Sequence, residues 1–302
     1  MKGNPIQGVE QIRCKLALEV GQGKILGLVP TMGALHDGHG RLIEQAKNEC
    51  DTVVVSLFIN PLQFGPSEDI KKYPKDLGSD LLFCEMRGVD VVFAPSVDEI
   101  YPGPQHTFVE VGSEGEGLCG LHRPGHFRGV ATVVLKLLNI VKPNRAYFGE
   151  KDFQQLMVVR RMVADFALPV EIIGVETERE SGGLAISSRN QYLNSSEREA
   201  ADVLYQALSL VRVLVASGED DPVVVKEAAM KLFNLEPRVR VEYLEVIDPL
   251  QMLPVGQIAN AVRAMGGVWV GKTRLIDNLL CEPPKLDNLE KESTAEIREV
   301  PS

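Results

Sequence analysis

The chain has 302 residues, 44% of them apolar, and a formal net charge of −10. That length predicts a core of about 180 residues with a smaller one beside it, and the acidic balance argues against a nucleic-acid partner. No run reaches the roughly 18 apolar residues of a membrane-spanning helix, the start lacks a signal-peptide pattern, and the five Cys are scattered without a close pair, so the expectation is a cytoplasmic protein with free thiols and no membrane contact.

Val9, Ile12, Leu16 and Leu18 suggest an amphipathic helix over 8–20. The apolar run Ile25–Val29 reads as a first parallel strand, and Leu42, Ile43, Ala46 and Cys50 give one face of a helix over 40–50. Between them lies Pro30-Thr31-Met32-Gly33-Ala34-Leu35-His36-Asp37-Gly38-His39. A loop from strand to helix sits at the carboxyl edge of an α/β sheet, where such folds bind ligands. It is neither a Walker A loop nor a dinucleotide fingerprint. His-x-Gly-His at a helix start offers free backbone amides, a glycine that admits close approach, and two imidazole donors where phosphate charge develops. This predicts nucleotidyl transfer: attack on the α-phosphate of a nucleoside triphosphate, with pyrophosphate leaving. Two rival readings stay open, a zinc pair without a recognisable third ligand and a plain helix cap by Asp37 or His39.

Thr52–Asn60 is a second buried strand, ending in a loop where Asn60 and Gln63 are amides suited to a small polar substrate; an ordinary Asn-Pro turn is the alternative. A helix over 76–87, a strand over 89–94 and a short edge strand over 107–111 follow. Arg123, His126 and their neighbours form a basic turn fit for phosphate or carboxylate recognition, or simply a solvated turn. A mostly buried helix over 130–140 and a strand over 145–148 lead into Gly149-Glu150-Lys151-Asp152-Phe153-Gln154-Gln155. Here Lys151 can meet phosphate, Asp152 can accept from ribose hydroxyls or cap the helix, and Gln155 lies one turn on, facing the same cavity. With a helix to 166 and a strand over 169–175, the pattern is a Rossmann-like α/β fold: a parallel sheet of about five or six strands with helices on both faces.

Composition then shifts. Residues 176–183 read as a hinge or a β-turn, and Ser187, Ser188 and Arg189 as a set that closes on the triphosphate from a second domain, or as a turn before a helix. Asn194 with Glu197 suggests a capping box. Helices to about 216 and over 223–235, a strand over 239–246, and a hairpin turning at Gly266-Gly267 make a small α+β domain. The expected division is 1–175, 176–280 closing over the site, and a tail from 281 to 302.

Six blocks now stand in order: PTMGALHDGH (30–39), FINPLQF (58–64), RPGHFRGV (123–130), YFGEKDFQQ (147–155), SSRNQYL (187–193) and TRLIDN (273–278). Together they resemble the pantothenate synthetase (pantoate–β-alanine ligase) family, of the HxGH nucleotidyltransferase type. The resemblance implies a two-step ligase, usually a homodimer, that joins (R)-pantoate to β-alanine through a pantoyl adenylate, using ATP with Mg2+. It implies that His36, His39 and Lys151 act on the transferring phosphate, that Ser187, Ser188 and Arg189 bind phosphate, and that Gly149 and Asp152 contact ribose. Ile186 would face adenine. Gln63 and Gln155 would hold pantoate, with Pro30 and Met32 on its apolar side and Asn60 near the reacting centre; Arg123 and His126 would lie near the site. No protein ligand for Mg2+ is implied. Gly40-Arg41 and Ile186 depart from the common family pattern, and the tail is long for it. Other readings are a different HxGH-type nucleotidyltransferase and a non-catalytic nucleotide-binding protein.

Overall fold

Aliphatic and β-branched runs become the strands of the larger unit because a sheet covered on both faces needs apolar side chains in both directions. In the computed structural model, which describes residues 4–284 apart from 67, 69 and 71, those runs are β1 (Leu26–Thr31), β2 (Thr52–Leu57), β3 (Val91–Phe93), β4 (Arg145–Gly149) and β5 (Glu171–Val175). They form one parallel five-stranded sheet in the order β3-β2-β1-β4-β5. The register runs from Leu26 opposite Thr52 to Thr31 opposite Leu57.

Helices α1 (Val9–Gly21), α2 (Asp37–Glu49), α3 (Leu77–Met86), α4 (Val97–Ile100), α5 (Cys119–His122), α6 (His126–Val141) and α7 (Phe153–Asp165) complete this unit. Leu42, Ile43 and Ala46 of α2 and Cys84 of α3 pack on Val29, Val53, Val55, Val92 and Tyr147. Strand alternation sends Leu28, Val54 and Ala146 to the other face, where α6 meets β1 and α7 meets β4 and β5.

The chain divides into Met1–Asn194 and Ser195–Ser302, not after Val175. Residues 176–186 fold back onto the first unit: Ile186 N–H donates to the Glu178 carbonyl at 2.9 Å and Glu180 N–H to the Leu184 carbonyl at 2.9 Å, and Leu184 and Ala185 are buried. Polar composition marked a turn there, not a domain edge. Ser187, Ser188 and Arg189 therefore belong to the first unit and not to a second domain. The expected edge strand over 107–111 is irregular chain instead. Val109 N–H donates to the Thr132 hydroxyl at 3.1 Å, and Phe108 lies under the Arg128 guanidinium at 3.7 Å, so helix side chains replace a strand partner.

The second unit packs α8 (Ser195–Ala216) and α9 (Pro222–Asn234) on β6 (Val239–Ile247), β7 (Val262–Val270) and β8 (Thr273–Cys281), an antiparallel sheet. The hairpin turns at Gly271-Lys272, where Gly271 has φ +56°. Gly266 and Gly267 lie inside β7 instead, where a Cβ would stand 2.8 Å from Leu204 Cδ1 and 2.4 Å from Tyr243 Cε1. Their smallness serves close packing rather than turning. The predicted tail lies outside the described residues from 285 onward.

Candidate active site

Strand order decides where a ligand can sit. From β1 the chain runs outward through β2 and β3, then returns to place β4 on the other side of β1. That reversal is a topological switch point, and a crevice opens beyond the carboxyl ends of the two strands. The β1–β4 ladder pairs Gly27 with Arg145 and Leu28 with Ala146; Pro30, with no N–H to give, stands just past its end. A cavity of about 210 Å³ occupies this place, lined within the first unit by the ends of β1 and β4, the starts of α2 and α7, one face of α6, and the loops at 60–64, 73 and 186–189. That is room for a multi-atom ligand rather than a single water. Every residue singled out in the sequence for the site lines it: Pro30, Met32, His36, His39, Asn60, Gln63, Arg123, His126, Gly149, Lys151, Asp152, Gln155, Ile186, Ser187, Ser188 and Arg189.

Helix α2 starts one turn earlier than its apolar face suggested, so His36 is its N-cap and His39 lies in its first turn. The backbone N–H of His36 donates to His39 Nδ1 at 3.3 Å, so the capping reading holds for one nitrogen of that ring. A neutral His39 then carries its proton on Nε2, as a donor. The ring centroids are 4.1 Å apart. Gly38 makes this possible, because a Cβ there would press within 3.0 Å of the His36 ring. Burial pushes the His36 pKa down to about 4, helped by the nearby Lys151 charge. Burial, His36 and Lys151 hold His39 well below its usual value. Both imidazoles are therefore neutral near pH 7, and His36 Nδ1 is buried with no protein partner.

The loop before them is pinned by a residue the sequence did not single out. Asp80 of α3 accepts from Ala34 N–H at 3.0 Å and Leu35 N–H at 2.8 Å. Gly33 turns there with φ +81°, and a Cβ on it would meet Asp80 Oδ2 at 2.8 Å. Burial raises the Asp80 pKa against the opposing pull of those amides. A lone Asp in a helical pattern carries no signal of such a task.

In the loop after β2, Asn60 caps the tight turn Pro61–Gln63, and its amide is fully engaged with protein groups. It therefore acts on its neighbours rather than on a ligand. The Gln63 amide nitrogen lies 2.9 Å from Met32 Sδ. Arg123, expected to meet phosphate or carboxylate, does meet a carboxylate, but one from the protein: Nε and Nη2 donate to Glu68 at 2.9 and 2.5 Å. His126 Nδ1–H donates to the Gln63 carbonyl at 2.9 Å, leaving Nε2 to accept from Arg123 Nη1 at 3.0 Å. Burial and Arg123 push its pKa down to about 3. This pair buttresses the Gln63 backbone.

Asp152 begins α7 without a side-chain cap bond, so the capping alternative drops away and its carboxylate faces the cavity. Ser187 accepts from Arg189 N–H at 3.3 Å, and Ser188 meets the Tyr73 hydroxyl at 3.2 Å. The apolar lining, Phe58 with Val130, Val133, Val134 and Leu137 of α6, was legible only as the end of a buried strand and a buried helix face. Among the described residues no group of three or more His, Cys, Asp or Glu side chains is placed to hold a metal ion.

The site thus joins helix-start amides, two neutral imidazole donors, Lys151 and Arg189 to an apolar recess with amides at its rim. That suits a nucleotide phosphate beside a small, partly apolar acid. Comparison with known proteins agrees. The sequence profile of the pantoate-beta-alanine ligase family matches residues 4–280. The chain is 48% identical over 277 residues to the pantothenate synthetase of Heliobacterium modesticaldum, covering 92% of this chain and 99% of that protein. It is 51% identical over 257 residues to the pantothenate synthetase of Thermotoga neapolitana, covering 85% and 92%. The crystal structure of the Thermus thermophilus pantothenate synthetase matches with a TM-score of 0.87 and 45% identity over 92% of this chain and 99% of that one. A Francisella tularensis pantoate-beta-alanine ligase, solved with beta-gamma ATP and beta-alanine, matches with a TM-score of 0.77 and 36% identity over 92% and 98%.

Proposed function

The chain belongs to the pantoate-beta-alanine ligase family, and from that premise we propose how its cavity carries out the family reaction. The reaction is ATP-dependent ligation of (R)-pantoate to β-alanine through a pantoyl adenylate. A carboxylate oxygen of pantoate attacks the α-phosphorus of ATP, and the bond to pyrophosphate breaks. The β-alanine amine then attacks the activated acyl carbon. The acyl C–O bond breaks, the amine loses a proton, and AMP leaves with the former carboxylate oxygen.

In this reading His39 Nε2–H and the first-turn amides of α2 donate to the α-phosphate, where charge builds in the transition state. His36, neutral and beside Lys151, donates to the same phosphates. Lys151, Ser187, Ser188 and Arg189 balance the triphosphate charge. Gly149 and Asp152 take the ribose, and Ile186 lies against the base. Gln63 and Gln155 grip the acid while Met32, Pro30 and the α6 face receive its methyl groups. Holding the adenylate in this recess keeps water from hydrolysing it. The observation carrying this is that one cavity is lined by both the His36–His39 pair and Gln63.

Mg2+ is part of the proposal. It is ordinarily held by one or two carboxylates together with substrate phosphates; Asp152, Glu176 and Glu178 line the cavity but form no metal-binding group, so the ion would arrive with ATP and be held chiefly by its phosphates. Such an ion would neutralise phosphate charge. A homodimer in the cytoplasm is the accompanying expectation, which sedimentation of the purified protein tests for assembly.

The test is an omission assay. With ATP, Mg2+, pantoate and β-alanine the protein should release AMP and pyrophosphate in step with pantothenate, and multiple turnovers should require both pantoate and β-alanine. Sustained turnover without β-alanine, or with ADP as product, would overturn the reading.

A further inference from the structure

Asn60 and Gln63 face each other as amides, and which end of each faces which way determines what the cavity offers. Backbone groups settle it, because their polarity is unambiguous. Leu62 N–H is a donor and lies 3.3 Å from Asn60 Oδ1. The Gly129 carbonyl is an acceptor and lies 3.0 Å from Asn60 Nδ2. Turning the Asn60 amide over would set donor against donor and acceptor against acceptor. With Asn60 so oriented, its second N–H donates to Gln63 Oε1 at 3.1 Å. Gln63 must then turn its NH2 the other way, toward Met32 Sδ and the cavity. The cavity is offered a donor.

The remaining bond to Asn60 comes from outside the cavity. Tyr101, which follows α4, donates its hydroxyl to Asn60 Oδ1 at 2.9 Å. The phenol is buried, does not line the cavity, and burial raises its pKa, so it stays a donor. Its ring lies 6.1 Å from that of Phe58, with the Lys136 ammonium 4.8 Å from its centroid, and its own backbone N–H is bonded to the Val97 carbonyl at 2.7 Å. The hydroxyl is thus aimed by packing on several sides.

We propose that Tyr101 is a positioning residue for the acid substrate: through Asn60 it holds the Gln63 amide with its NH2 toward the cavity, so that the site presents a donor to an oxygen of the substrate. This rests on the reading of the cavity as the pantoate site. Without the phenol, Asn60 Oδ1 keeps only the long bond from Leu62 at 3.3 Å, so the Gly129 carbonyl carries most of the hold on this amide and the Asn60–Gln63 pair is fixed less firmly. The preference for an acceptor-bearing acid then weakens, while the phosphate side, built on α2, α7 and the 186–189 loop, is untouched.

The experiment is steady-state kinetics on Tyr101→Phe and Asn60→Asp beside the wild-type protein, with thermal melting of each. Tyr101→Phe removes one oxygen and keeps the ring. The expected result is a KM for pantoate raised about tenfold, the equivalent of one ordinary hydrogen bond, with KM for ATP and the melting temperature nearly unchanged. Asn60→Asp puts a carboxylate oxygen opposite Gln63 Oε1 and forces that amide over, so the KM for pantoate should rise further than in Tyr101→Phe. If Asn60→Asp does not fold, Tyr101→Phe decides alone. An unchanged KM for pantoate in Tyr101→Phe, an equal loss for ATP and pantoate, or a failure of that variant to fold overturns the proposal. A wild-type protein that makes no pantothenate overturns the pantoate reading itself, and this inference with it.

Discussion

The backbone N–H of His36 donates to His39 Nδ1 at 3.3 Å, and this bond separates two jobs of the second imidazole. Nδ1 closes the start of α2, and Nε2–H is left free for the proposed role at the phosphate. His39→Ala should slow adenylate formation about 10²- to 10³-fold. His39→Asn carries an oxygen near the Nδ1 position but nothing near Nε2. It should therefore restore helix-start stability and stay as slow as His39→Ala in a pyrophosphate-release assay. A fast His39→Asn enzyme would reduce His39 to a cap.

Stability should fall as pH drops from about 6.5 toward 4 on account of His36, whose folded pKa is about 4 against an ordinary 6.5. In that window the unfolded chain binds a proton that the folded chain refuses, so unfolding is favoured on acidification. Above 6.5 both states are neutral and the contribution is flat; below 4 both are charged and the loss is complete. Denaturant titrations at several pH values check this, with His36→Gln as control. That variant should lose less stability than wild type between pH 6.5 and 4. Parallel curves for the two proteins would contradict the buried neutral imidazole.

Two glycines, Gly129 packed against the Pro61–Gln63 turn and Gly149 on the cavity wall, should respond in opposite ways to alanine. A Cβ on Gly129 would stand 2.2 Å from the Leu62 carbonyl oxygen and 2.7 Å from Gln63 N, so Gly129→Ala must push α6 off the Pro61–Gln63 turn. A cost of about 1–3 kcal/mol is expected from overpacking, with a raised KM for pantoate. A Cβ on Gly149 meets nothing within 4 Å, and its φ of −72° suits any residue. Gly149→Ala should melt normally and raise KM for ATP only, by intruding on the proposed ribose site. Normal pantoate kinetics in Gly129→Ala, or normal ATP kinetics in Gly149→Ala, would remove the respective assignment.

Arg123 and Glu68 should be coupled in stability. Their side chains are 13% and 21% exposed and 2.5 Å apart, so Arg123→Ala leaves a half-buried carboxylate unpaired, at about 1–3 kcal/mol. Removing Glu68 as well should recover part of that loss. Additive losses in the double mutant, with a large rise in KM for ATP in Arg123→Ala, would instead return the guanidinium to phosphate binding.

What the sequence could reveal follows from where the information lies. The inner strands β1 and β2 are almost wholly buried, so each appears as a mostly apolar run, and the loops after β1 and β4 hold chemistry that the flanking elements explain. Gly266-Gly267 reads as a turn because the reason for its glycines is the Tyr243 ring and Leu204, which are distant in the chain. The polar stretch at 176–183 reads as a hinge or a turn alike because its partners are backbone groups of its own neighbourhood, up to Leu184 and Ile186. Arg123 and His126 read as ligand-binding groups because the Glu68 carboxylate that takes up the charge lies 55 residues away. Tyr101 is one aromatic residue in an irregular segment, and nothing local tells that its hydroxyl reaches Asn60.

The most direct test of the central claim follows an oxygen atom. Pantoate labelled with 18O in its carboxylate, incubated with ATP, Mg2+ and β-alanine, should deliver one labelled oxygen to the phosphate of AMP and leave the other in the pantothenate amide. Label in inorganic phosphate, with ADP formed, would mean an acyl phosphate made at the γ-phosphate, and would contradict an adenylate built against His36 and His39.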